Sequence, residues 1–72
     1  MYTVHDTGQG MFKIVDARRG TQAGVLTPRG SVVTPPVVNG DMVSFVVQLS
    51  DGTKMGTTHK LPTGQLVNQF RV

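Results

Sequence analysis

Met42-Val43-Ser44-Phe45-Val46-Val47-Gln48-Leu49, then Ser50-Asp51-Gly52, then Thr53-Lys54-Met55-Gly56-Thr57-Thr58-His59-Lys60-Leu61 is the stretch whose reading decides the fold. On a pleated strand, Val43, Phe45, Val47 and Leu49 fall on one side, with Met42, Ser44, Val46 and Gln48 on the other. After the turn, Thr53, Met55, Thr57, His59 and Leu61 share a side, opposite Lys54, Gly56, Thr58 and Lys60. A two-residue Asp51-Gly52 loop would set Leu49 against Lys54 and Phe45 against Thr58. A three-residue loop sets Leu49 against Thr53, Val47 against Met55 and Phe45 against Thr57. The second register is expected. It keeps the apolar residues together and places Gly52 where a positive φ is needed, and a one-residue slip would turn every side chain over.

Working outward, short β-patterned segments continue in both directions. Tyr2 to Thr7 and Met11 to Ala17 read as strands, the second with Phe12 and Ile14 on one face. Residues 18–24 read as a flexible loop. Val25 to Thr27 and Ser31 to Thr34 follow, separated by Pro28-Arg29-Gly30. Pro35-Pro36 interrupts the ladder, because proline donates no hydrogen bond. Val37-Val38 leads into the turn Asn39-Gly40-Asp41. Beyond Pro62-Thr63-Gly64 a last strand runs from Gln65 to Val72, with Leu66, Asn68, Phe70 and Val72 on one face. The expectation is one all-β domain over residues 1–72, with about six short strands and no substantial helix. Its form would be a small SH3-like or OB-like barrel or a compact sandwich.

The composition agrees. There is no glutamate and only two alanines, while valine, threonine and glycine dominate. Helix formers are therefore scarce and β-branched residues abundant. A chain of 72 residues buries little of its surface and has no cysteine to staple it, so its stability is marginal unless a partner adds to it. The formal charge is +3, but only 15% of residues are charged, a low density for binding through phosphate neutralisation. No apolar run reaches membrane-spanning length, and Met1 to Asp6 does not read as a signal peptide. The virion and the cytoplasm are the locations most compatible with this pattern.

Candidate chemistry is sparse. His5-Asp6 and His59 are the only acid–base or metal candidates. Two histidines without a thiolate make a poor zinc site, and no serine has a spacing that places it near either ring. An exposed His5 and a strand-edge His59 are expected. Gly8-Gln9-Gly10 precedes an apolar run but no helix, so it reads as a turn and not as a phosphate loop. Asp41 and Asp51 sit in turns, where aspartate bonds its own backbone. No catalytic residue, cofactor or metal ligand is assigned. The basic set is Arg18, Arg19, Arg29, Lys54, Lys60 and Arg71. Lys54, Lys60 and Arg71 are expected to share the outer face of the hairpin sheet. Phe45, Phe70 and Phe12 read as core, which leaves Tyr2 as the only ring free to stack on a base. Val46 and Val67 lie opposite the apolar faces of their strands, so a covered second face is expected there, and Met1, Met11, Met42 and Met55 read as an adaptable contact surface or as core filler.

Asn39-Gly40-Asp41-Met42-Val43-Ser44-Phe45 and the hairpin after it resemble the later strands of cold-shock and other OB-fold domains. The resemblance covers a minor part of the chain, and the aromatic RNA-binding motifs of cold-shock proteins are missing from the first half. The short, cysteine-free, valine- and threonine-rich chain also resembles small accessory proteins of virus particles. The functional expectation is a non-enzymatic assembly protein that binds other protein subunits or its own copies, most concretely a virion accessory or decoration protein, with Met42, Val46 and Val67 as the contact surface. The alternative is a nucleic-acid-binding module that uses Arg18, Arg19, Lys54, Lys60 and Arg71. No membrane partner is expected.

Overall fold

The three-residue hairpin loop is present. The computed structural model describes residues 1–72, and in it Phe45 pairs with Thr57, Val47 with Met55 and Gln48 with Lys54. The Leu49 N–H donates to the Thr53 carbonyl at 2.8 Å, and the Gly52 N–H donates to the Leu49 carbonyl at 2.9 Å. Gly52 takes φ +88°, a left-handed value that a side chain would resist. Asp51 Oδ1 accepts the Thr53 N–H at 2.9 Å. That bond, with a further one from the Thr53 side chain, holds the exposed Asp51 carboxyl below its ordinary range.

Eight strands form, where about six were expected. β1 (Tyr2–Asp6), β2 (Phe12–Asp16) and β3 (Thr21–Leu26) make one antiparallel sheet in the order β1-β2-β3. β4 (Ser31–Val32), β5 (Val37–Asn39), β6 (Met42–Gln48), β7 (Lys54–Lys60) and β8 (Gln65–Arg71) make the other, in the order β4-β6-β7-β8 with β5 also on β6. The fold is all-β, and its two sheets make a sandwich and not a closed barrel. The expected loop at 18–24 is mostly strand. The chain reverses before Gly20, whose N–H donates to the Asp16 carbonyl, and β3 begins at Thr21. Ala23 is the extra residue in a bulge, since Ile14 pairs with Gly24 but Val15 with Gln22.

The two prolines are accommodated by a shift of register. Val32 pairs with Val47, but Val37 pairs with Ser44, so β4 and β5 meet β6 two residues out of step. Pro35 and Pro36 arch away over the difference. The Thr34 hydroxyl accepts the Val46 N–H at 2.9 Å and so satisfies a donor that the arch would otherwise strand.

The core lies between the sheets. Phe12, Ile14 and Leu26 from the smaller sheet meet Val43, Phe45 and Val47 from β6, with Leu61 closing the end. Phe12 and Phe45 pack edge to face across the interface, their centroids 5.0 Å apart, the geometry that the ring quadrupoles favour. At one seam β3 lies directly on the β7–β8 turn. A Cβ built on Gly24 would stand 2.7 Å from the Pro62 carbonyl oxygen, a backbone atom that cannot swing aside. Gly24→Ala must therefore push the sheets apart, and it is expected to cost about 1–3 kcal/mol. A fall in the urea midpoint with unchanged slope is the expected reading; an unchanged midpoint would contradict the close seam.

Two expected placements are corrected. His59 was read as a strand-edge residue, but β7 lies between β6 and β8 and the ring is 3% exposed. Phe70 was read as core, but it is 55% exposed. A bulge is the reason for the second. His59 pairs with Leu66 and Thr58 with Asn68, so Val67 is an extra residue and the alternation of β8 changes face there. Leu66 stays with the core-facing His59, while Asn68 and Phe70 join the outer face.

Candidate docking face

The outer face of the larger sheet is built by residues that alternate with the core. On β6 these are Met42, Ser44, Val46 and Gln48; on β7 they are Lys54, Gly56, Thr58 and Lys60. Val37 joins them because it pairs with Ser44, and Phe70 because it pairs with Gly56. A Cβ on Gly56 would overlap the Phe70 ring, whose Cζ end reaches over that glycine. A glycine inside a strand marks a place where something approaches closely, and here that something is an aromatic side chain from the neighbouring strand.

The result is an apolar groove of about 370 Å³. Gly56 and Val46 form its floor, Phe70 one wall, and Pro35 and Val37 the other. Its polar margin is self-satisfied: the hydroxyls of Ser44 and Thr58 bond each other at 3.0 Å. Val37 is 65% exposed, and the opposite side of the same sheet is already covered by the smaller sheet. The groove is thus an apolar face that the protein itself leaves uncovered.

Of the three expected contact residues, the structure brings two to this face. Val46 is half-buried in the groove floor and Met42 is exposed nearer the Lys60 end. Val67 is exposed at the β8 bulge and does not line the groove. Phe70, Val37 and Pro35 were missed as site residues. Gly56 was the available signal, because a glycine between the outward Lys54 and Thr58 of one strand called for a neighbour to cover it.

The basic residues do not converge. Lys54 and Lys60 share the outer face but sit at the two ends of β7, about 20 Å apart at strand rise. Arg71 was expected beside them and is instead on the core-facing side of β8, since it pairs with Met55. Arg18 and Arg19 lie in the β2–β3 turn of the other sheet.

The acid–base candidates are also separate. His5 hydrogen-bonds Thr3 at 2.9 Å on β1. Asp6, Asp16 and Asp51 each accept a backbone N–H two residues on. No three metal-ligating side chains come together. His59 stacks on Phe45 at 5.3 Å with the rings nearly parallel. Its Nδ1 lies 3.1 Å from the Gly64 carbonyl oxygen, which can only accept, so Nδ1 carries a proton. Nε2 is buried without a partner. No match to this chain is found among protein-family models, curated proteins or solved structures.

Proposed function

We propose that the protein is a non-enzymatic assembly subunit that docks protein, either other subunits or its own copies, on the outer face of its larger sheet. The observation that carries this is the uncovered groove between Phe70 and Val37 over Gly56. Apolar surface of this kind gains free energy when a partner removes it from water. Exposed aromatic anchors beside a shallow groove are also typical of energetically central interface residues. An accessory or decoration protein of a virus particle is the concrete form of the proposal, and the compositional resemblance supports that form.

Nucleic-acid binding is less well supported, because the five basic residues assigned to it are divided between two sheets and two faces. The test is light scattering of the purified chain over a wide concentration range. The wild type is expected to gain mass above the monomer as its groove finds a second copy. Phe70→Asp, which changes an exposed residue, is expected to stay folded and shift that association at least about tenfold, the effect of about 1.4 kcal/mol. Association that survives Phe70→Asp unchanged would place docking elsewhere.

A further inference from the structure

We propose that Asn39 is a site of spontaneous deamidation, at which the Gly40 backbone nitrogen attacks the Asn39 side-chain amide. Asn39 ends β5 and pairs with Met42 across the two-residue loop Gly40-Asp41. Gly40 takes φ +64° and Asp41 has no positive φ, the pattern of a turn with glycine at its first central position. Both partners of the reaction are free. The Gly40 N–H makes no hydrogen bond, Asn39 and Gly40 are exposed, and apart from Asn39, Gly40 and Asp41 themselves no residue comes within 4 Å of the position where a Cβ on Gly40 would stand. β5 is a three-residue edge strand with every residue exposed, so the local opening that brings the amide carbon onto the nitrogen costs little.

The chemistry needs only water. The Gly40 nitrogen loses its proton to solvent base and bonds to the Asn39 side-chain carbonyl carbon, and ammonia leaves with a proton from water. The product is a five-membered succinimide. A water molecule then adds to one of its two carbonyls and the ring opens. Opening at the side-chain carbonyl gives an aspartyl residue at position 39. Opening at the main-chain carbonyl gives the β-linked isomer, with one extra carbon in the backbone. Either product lowers the formal charge of +3 by one and sets a carboxylate two residues from Asp41. The β-linked form also lengthens the chain at the pair that closes the β5–β6 hairpin.

The same sequence logic singles out Asp51-Gly52, which could form the same ring with loss of water, and the structure separates the two. The Gly52 nitrogen is committed to the Leu49 carbonyl at 2.9 Å, and Asp51 Oδ1 to the Thr53 N–H at 2.9 Å. Asn68 precedes Gln69 within the seven-residue β8, where a side chain at the following position crowds the attack. Asn39 is the one such position with an unengaged nucleophile, an unengaged carbonyl carbon and a short strand.

The test incubates the folded full chain in oxygen-18 water at mildly alkaline pH and physiological temperature, with a parallel sample in urea. The tryptic peptide over residues 30–54 contains both Asn39 and Asp51, so fragment ions between them locate the change. The expected result is heavy-oxygen uptake at position 39 with both isomers formed, at a rate within about tenfold of the unfolded chain. No uptake is expected at position 51, and Asn39→Gln should remove the product. Uptake confined to the urea sample would overturn the proposal, as would uptake mapping to Asp51 or Asn68 in the folded chain.

Discussion

Truncating Phe45 to alanine is expected to cost about 3–5 kcal/mol. Phe45 is 4% exposed, meets Phe12 edge to face from the opposite sheet, and stacks on His59 along its own sheet. It is the one side chain that joins both layers and two adjacent strands through ring contacts. Only ten of 72 residues are buried, so neighbouring groups have little mass with which to refill the space. A chain of this size has a total stability on the order of 5–10 kcal/mol, so the variant should lose between about a third and all of it. Val37→Ala, on the outer face, should change stability by less than about 0.5 kcal/mol. Urea titration of both variants checks the contrast. A loss below about 1 kcal/mol for Phe45→Ala would mean that the sheets do not meet where the structure puts them.

The second large effect is at His59. Replacing it with alanine removes a ring from between Phe45 and the β7–β8 turn, with an expected cost of about 2–4 kcal/mol. Part of the loss is the bond to the Gly64 carbonyl, worth about 1 kcal/mol net. His59→Leu fills most of the volume and removes the unpartnered Nε2, so it should recover at least about 1 kcal/mol relative to alanine. Thermal melts of the two variants give the comparison. Equal melting temperatures would show that packing around the ring contributes little.

How much of this was legible in the sequence differs from residue to residue. The β6–β7 register could be read because two local rules agree there: alternation puts Val43, Phe45 and Val47 together, and Gly52 accepts the φ that the three-residue loop demands. β8 could not be read as well. Its alternation from Leu66 to Val72 looks unbroken, and only pairing with β7 reveals Val67 as an inserted residue that moves Phe70 outward. His59 follows the same parity as Met55 and Thr57, so its inward face was readable. Its burial was not, because that depends on β8 covering β7 from the far side. The apolar groove needs three segments distant in sequence, the arch at Pro35, the Val46–Gly56 pair and Phe70, and no local pattern specifies their meeting.

The central claim, that the outer face docks protein rather than nucleic acid, is tested most directly by the salt dependence of association. The chain would be titrated against its own copies and against single-stranded DNA, as wild type and as the Lys54→Glu, Lys60→Glu double variant. Apolar docking predicts self-association that changes little with ionic strength and survives the double variant, because charges at the rim act mainly on association rate. The contradicting result is tight DNA binding by a chain that remains monomeric, with a log–log salt slope of roughly −0.7 per phosphate contact, abolished by reversing those two lysines.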